Sequence, residues 1–539
     1  MNFFFYKEKD CSLKKRFKAS LYKFISILLL PSSLFFSCSR SEDFTQKRIL
    51  KVSVSSEPPT LDWNLATDNV SFTIINNLME GLTKFDERMN LIPALAWKWE
   101  SNDTFTKFRF YIKDDACWSD GKAVRAQDFV YSWRRLLSPQ TAAEYAYFLY
   151  DIKNAADYNS GKISNPNLLG VRAISDKVLE VELESPLSFF PYLTAFMVTF
   201  PMREDLVKKY GDKWAEAGKM EVTGPYLLSK WEHDYKIILK KNPQYKSEEM
   251  GFDEVVLFIV NQPNTALLLY ETGILDVANV PSIAVSKMKK RKDFISFPIY
   301  RGYYYGFNTR KFPFDNTLVR KAIAYAIDKR EIVNALRGNE IPTNSWIPPG
   351  MLGYNKNIGI SFDPEKARKL LAEAGFPKGK GFPQVAISFN SSPENLIVAE
   401  NIQAQLSKNL NIRVTLDNLE WKVYLGRLKK GAPPIFRLGW GADFPDPDNF
   451  MRLFTSSSGN NNTGWENKRY DELVEMAVLT DDISVRKKIY DEAQKILCEE
   501  DVPIIPLFTG TKNLLVRPTL STKGFNPLDI FYFNRLKKR

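Results

Sequence analysis

The sequence predicts a mixed α/β protein built from more than one lobe, and two observations carry that expectation. From Ile49 onward, period-two apolar alternation and helical spacing follow one another along the chain, the pattern of strands and helices packed in layers. The chain has 539 residues, too many for one hydrophobic core, so two or three lobes are expected. Hydrophobic residues make up 44% and charged residues 26%, ordinary values for a globular protein in water. Aromatic residues are rich at 14%, which suits a generous core and a cleft with flat, semi-polar walls equally well.

The first 48 residues read as an address. Residues 1–23 are basic, and Phe24 to Phe36 form an apolar run of 13 residues. That run is too short to span a bilayer and has the length of a signal-peptide core. It leads into Ser37 and Cys38, so residues 1–37 are expected to be a signal peptide and Cys38 the acylated anchor residue. The segment resembles a bacterial lipobox, with Phe35 and Phe36 where that pattern prefers Leu and a small residue. A plain signal peptide cleaved nearby is the alternative. Residues 38–48, polar beyond the cysteine, would tether the folded body to the membrane.

The body then unfolds element by element. Leu50 to Ser55 alternates as a strand and is broken at Glu57-Pro58-Pro59. Val70 to Leu82 has helical spacing, with an expected end at Gly81. Thr106 to Ile112 is a second strand, with Phe108, Phe110 and Ile112 on one face and Lys107, Arg109 and Lys113 on the other. Trp118 to Gly121 is a turn, and Ala126 to Leu137 is an amphipathic helix stopped by Ser138 and Pro139. Lys177 to Glu184 alternates as a strand that Pro186 ends. Asp315 to Ala335 reads as one helix, with Val319, Ile323, Ala326 and Ile327 on one side. Asp363 and Pro364 supply the N-cap and first position of a helix running through Ala367, Leu370 and Leu371 to Gly375. No later segment reaches about 18 apolar residues, so the body is expected to fold in water.

Charge and residue counts exclude whole classes of chemistry. The net charge is +12, but the first 37 residues hold seven bases and two acids, which leaves 68 bases against 61 acids. Those bases are interspersed with acids rather than gathered in a stripe, which argues against nucleic-acid binding. His233 is the single histidine, so a multi-histidine metal site is impossible and a Ser-His-Asp triad would have to use this residue. Its polar surroundings, Trp231 to Tyr235, read as surface. Beyond Cys11 and Cys38 the chain has Cys117 and Cys498; export permits a disulfide between them, and two isolated thiols satisfy the sequence equally.

Six stretches carry a family resemblance. They are LDWNLATDNVSFTIINNLMEGL (61–82), DDACWSDGKAVRAQDFVYSWRRLLSPQTA (114–142), TGPYLL (223–228), YYYGFNTRKFPFDNTLVRKAIAYAIDK (303–329), DPEKARKLLAEAGF (363–376) and LGWGADFPDPDNF (438–450). Together they resemble the family-5 solute-binding proteins of ABC importers, most closely the oligopeptide-binding branch, and they span nearly all of residues 50–539. The resemblance implies a bilobal periplasmic-binding-protein-like fold of type II, the large cluster C kind, with an extra domain on the first lobe. The expected parts are lobe I from 49–79, 204–300 and 510–539, the extra domain from 80–203, and lobe II from 301–509. It also implies a binder without enzymatic activity or cofactor, exported to the periplasmic face and monomeric. Its partners would be short peptides, membrane permease subunits and, through the anchor, the bilayer.

The segment Pro434 to Phe444 is the richest in chemistry. If extended, it points Arg437, Gly439, Gly441 and Asp443 to one face, and Phe436, Leu438, Trp440 and Ala442 to the other. Arg437 and Asp443 would stand about 20 Å apart along a strand, and an extended tripeptide spans about 10 Å; the long arginine side chain closes much of the difference. An anion-binding Arg and a cation-binding Asp on one face suit a short zwitterionic peptide, and the two glycines leave room for its backbone. In the family, the aspartate of this motif binds the peptide's α-ammonium and the preceding arginine can bind its carboxylate, positions that are Asp443 and Arg437 here. Arg337 matches a basic position used for longer peptides, Trp421, Tyr145 and Tyr304 match pocket-lining aromatics, and Asn69 matches a ligand-contacting position. The residues alone leave other roles open: Arg437 paired with an acid, Trp421 in the core, and Asp443, Asp446 and Asp448 as an exposed acidic or calcium-holding loop, with turn chemistry at Asp446 and Asp448. Thr67, Gly306, Asn395 and Leu428 depart from the family's Glu, Glu, His and Arg, so the peptide's length and sequence stay open. A murein-peptide receptor and a carboxylate-dependent hydrolase are the competing readings.

Overall fold

In the computed structural model, residues 47–246, 250–480 and 482–538 are described. The signal peptide, Cys38 and all but the end of the tether lie outside them. Four strands frame the site: Ile49–Val54 (β1), Phe294–Phe307 (β2), Ile435–Gly441 (β3) and Ile504–Val516 (β4). They belong to one mixed sheet of 11 strands. From one edge the order is Val414–Leu419, Val385–Asn390, β3, β2, β4, Val277–Asn279, β1, Glu254–Ile259, Lys236–Lys241 and Tyr226–Glu232, with Ile341–Pro342 on β4.

Two parallel groups sit within that sheet. β1 is parallel to Glu254–Ile259, and Val385–Asn390 is parallel to Val414–Leu419 and to β3, each parallel pairing needing a crossover connection. The antiparallel strands β2 and β4 run through both groups. Their register shifts between Pro298 and Gly302, where proline has no amide hydrogen to give the ladder. A separate four-stranded antiparallel sheet orders Ala96–Ser101, Lys107–Ile112, Val178–Glu182 and Val171–Ser175. As the alternation requires, Phe108, Phe110 and Ile112 are buried there and Arg109 is exposed. Helix Ala126–Leu137 buries Phe129, Val130, Trp133, Leu136 and Leu137 against it.

Two helices differ from their sequence reading. The first is Asn69–Leu78, followed by extended Met79, so it ends before Gly81. Gly81 answers a close approach instead: a Cβ there would lie 2.2 Å from the Thr194 carbonyl oxygen. The stretch 315–335 is two helices, Thr317–Ala326 and Lys329–Leu336. Ile327 is extended, and the Asp328 side chain accepts the Arg330 amide, so an N-cap in mid-pattern starts the chain afresh. The helix Pro364–Glu373 keeps its Asp363 cap, and Gly375 lies at φ +95°. Cys117 and Cys498 are free thiols, the latter buried.

Candidate functional site

β3 has one full edge and one partial edge. Antiparallel to it, β2 pairs from Arg301–Gly441 through Phe307–Ile435. On the other side Val385–Asn390 pairs only at Ile435 and Phe436. The Arg437 amide donates to the Tyr424 hydroxyl at 3.0 Å, and that hydroxyl donates to the Arg437 carbonyl at 2.7 Å. Backbone groups alternate sides along a strand, so Gly439 and Gly441 direct theirs to the same edge, where among the described residues no strand pairs with them. An added Cβ at Gly439 would meet the Gly302 carbonyl oxygen at 2.9 Å, so glycine here lets β2 and β3 approach closely.

Beyond β3, the Ala442 amide donates to the Tyr300 carbonyl at 2.8 Å, which fixes the start of the segment carrying Asp443. Asp443 stands on the wall between two cavities. One, of about 160 Å³, is lined by Thr67, Asn69, Tyr145, Arg301, Gly441 and Asp443 among others. The second, of about 190 Å³, includes Trp440, Tyr147 and Phe444. The Tyr145 hydroxyl donates to Asp443 Oδ1 at 3.5 Å, and among the described residues no cationic side chain comes within ion-pair distance of this carboxylate. Burial therefore pushes the Asp443 carboxyl up to about 7, with Tyr145 acting weakly against it. A cation brought beside such an acid favours its ionised form and offsets part of the desolvation penalty.

Arg437 heads the other end of β3. Its guanidinium lies 4.2 Å from the ring centre of Tyr303 and donates to Asn390 Oδ1 at 3.2 Å. Its Nε is buried without a hydrogen-bond partner, and among the described residues no carboxylate pairs with it. Internal pairing with an acid is therefore not what holds this arginine. Asn395 accepts the Tyr303 hydroxyl at 2.9 Å and donates to Asn390, so it orders the groups beneath Arg437.

Other sequence-read positions fall elsewhere. Tyr304 lies on the opposite face of β2 from Tyr303, 1% exposed, with Trp346 and Phe454 edge-on to it. The structure thus places it in the core, because strand alternation turns each successive tyrosine over. Trp421 is 46% exposed as the first residue of helix Trp421–Lys430, so it is not in the core. Arg337 is the exposed left-handed cap of Lys329–Leu336. Neither Arg337 nor Trp421 lines the two cavities that Asp443 joins.

The departures find local causes. The place of a Gly306 side chain is filled by the Phe436 ring, Leu428 is buried, and adjacent Arg427 pairs with Asp417. Asp446 and Asp448 are buried rather than an exposed loop. Asp446 takes both guanidinium nitrogens of Arg486, at 2.6 and 2.8 Å, and Asp448 takes Arg452. The Asp448 amide donates back to Asp446 Oδ1, the turn chemistry read from the sequence. His233 is exposed and bonded to Glu57. Arg301, Lys512 and Asp529 were missed: they line an adjoining cavity of about 220 Å³ that also contains Asn69. They come from segments remote in sequence, and only Arg301, two residues before Tyr303 and hence on its face, left a signal.

Comparison with known proteins gives a consistent picture. Residues 90–462 match the family model described as bacterial extracellular solute-binding proteins, family 5. The oligopeptide-binding protein OppA of Bacillus subtilis (strain 168) is 34% identical over 520 residues, 93% of this chain and 95% of that protein. Among solved structures, the murein tripeptide-binding protein MppA in its unliganded open form has a TM-score of 0.81 at 30% identity, covering 92% of this chain and 98% of that one. Haemophilus influenzae OppA in complex with the peptide RPPGFSPFR has a TM-score of 0.73 at 29% identity, covering 92% and 99%. The fold is accordingly the mixed α/β, bilobal one, and this chain belongs to the family-5 bacterial extracellular solute-binding proteins.

Proposed function

We propose that this protein captures short peptides of about two to five residues and hands them to the permease of an ABC importer, performing no chemistry of its own. The observation that carries the reading is Asp443, a carboxylate without a cation on a cavity wall at the end of a strand with a free edge. The peptide's α-ammonium supplies that cation. Its backbone adds along Gly439 and Gly441, where main-chain bonds give affinity without reading side chains. Arg437, with an unpartnered Nε, takes the terminal carboxylate of a short peptide, while Tyr145, Asn69 and Trp440 shape the walls. Names of relatives support the ligand class, since OppA proteins are described as oligopeptide-binding.

In this reading 49–79, 204–300 and 510–539 form the first lobe, 80–203 the extra domain and 301–509 the second lobe; the register break between Pro298 and Gly302 lies beside the 300/301 boundary. Residues 1–37 are likewise read as a signal peptide and Cys38 as a lipid anchor that keeps the receptor at the periplasmic face of a bacterial membrane. A paired-carboxylate hydrolase would need Asp446 beside Asp443, and Asp446 is already held by Arg486.

Native mass spectrometry of the protein purified from its own cells tests the reading. Co-purified peptides of two to five residues with free amino termini are expected. Co-purified murein tripeptide alone would transfer the assignment to a cell-wall peptide receptor, and a ligand lacking an amine would overturn it.

A further inference from the structure

The cavity of about 190 Å³ behind Asp443 carries a charge imbalance. It brings together three carboxylates, Asp443, Asp151 and Asp448, with a single guanidinium, Arg452. One of its N–H groups is engaged, Arg452 Nε donating to Asp448 Oδ2 at 2.7 Å, and its charge also acts on Asp151, so one guanidinium stands against three carboxyls. Asp448 is 2% exposed, yet its Oδ1 has no hydrogen-bond partner, a costly state for a carboxylate oxygen. Asp151 is held above the usual carboxylate range by burial, against which the charge of Arg452 acts.

The walls complete the description of the occupant. Tyr147, Phe148, Trp440 and Phe444 line the space, surfaces that cover an aliphatic stem and favour a cation near their faces. Trp440 is held in place by its Nε1–H bond to Asn449 Oδ1 at 2.7 Å. Among the described residues, no group of His, Cys, Asp and Glu side chains is arranged to hold a metal ion. The missing charge is therefore that of an organic cation on an apolar stem.

Resting on the reading that Asp443 takes the α-ammonium, we infer that this cavity receives the side chain of the peptide's first residue and selects lysine or arginine there. Asp443 belongs to the walls of both this cavity and the cleft beside Gly441. A residue anchored there by its ammonium has its side chain at the cavity's mouth. The cationic head then meets Asp151, while the stem lies against the rings.

Calorimetry of the full-length protein with Lys-Ala-Ala, Ala-Ala-Ala and Glu-Ala-Ala tests this. Lys-Ala-Ala should bind about tenfold more tightly than Ala-Ala-Ala, a typical yield for one partly buried charge pair, and Glu-Ala-Ala more weakly than either. In Asp151→Asn, with folding verified by its melting temperature, the ratio of lysine-first to alanine-first affinity should fall to about one. Equal affinities in the unaltered protein, or a ratio that survives Asp151→Asn, overturn the proposal and leave the peptide reading standing. Failure of all three peptides to bind overturns both.

Discussion

The Tyr145 hydroxyl donates to Asp443 Oδ1 at 3.5 Å, a long bond from a neutral group to a carboxylate that has lost most of its water. One weak donor does not offset that loss, and Asp443 accordingly titrates near 7 in the empty protein. The site is held in a state that a bound ammonium would relieve.

The pH dependence of binding follows. Capture needs Asp443 ionised, which happens above about 7, and the peptide amine protonated, which holds below about 7.7–8.0. Affinity for Ala-Ala-Ala should climb from pH 5 to about 7 and decline beyond about 8. At pH 5 it should lie about 100-fold below its maximum. Calorimetry at pH 5, 7.5 and 9.5 reads this, and a flat profile would contradict it.

The same carboxyl links stability to pH. Its folded-state value of about 7 lies above its ordinary 3.8, so between these values the folded protein binds more protons than the unfolded chain. Stability of the empty protein therefore falls as pH rises through that window. Asp443→Asn should raise the melting temperature by about 1–3 °C at pH 8, and the difference should vanish near pH 4. Scanning calorimetry without ligand is the measurement.

Arg437 gives a prediction at the other terminus. Arg437→Gln should weaken Ala-Ala-Ala by about 10–100-fold, the range for losing a hydrogen-bonded charge pair. Its effect on the C-terminal amide of the same peptide should be several-fold smaller. Equal losses for acid and amide would show that this arginine does not hold the carboxylate.

Tyr304 and Trp421 should part company under substitution. Tyr304→Ala opens a cavity between Trp346 and Phe454 and should cost about 3 kcal/mol or more. Trp421→Ala, at a half-exposed helix start, should change stability by about 1 kcal/mol or less. Guanidinium unfolding compares them, and the reverse order would contradict the burial described above.

Much of this was legible in the sequence because local patterning had one consistent outcome. Phe108, Phe110 and Ile112 were buried because a period of two leaves them no alternative in that sheet. The segment from Pro434 to Phe444 was read as extended; Ile435–Gly441 of it is β3, and Asp443 lies two residues past its end. The losses came where phase or distant chain decides. Tyr303, Tyr304 and Tyr305 are alike in composition, and only the pairing of Tyr303 with Gly439 and Tyr305 with Arg437 shows which rings share the arginine's face. The break at Asp328 hides inside a continuous apolar stripe. Arg301 and Asp529 meet across more than two hundred residues of chain, beyond the reach of local periodicity, and Asp151 joins Asp448 in the same way.

The central claim is that Asp443 holds a peptide's α-ammonium, and blocking that ammonium tests it most directly. Calorimetry at pH 7.5 should show Ala-Ala-Ala binding to the unaltered protein, with N-acetyl-Ala-Ala-Ala and the Asp443→Asn variant each weaker by about 100-fold or more, the cost of breaking a desolvated charge pair. The two changes combined should cost little more than either alone, since both remove the same interaction. Undiminished affinity for the acetylated peptide, or for free tri-alanine in Asp443→Asn, would contradict the account.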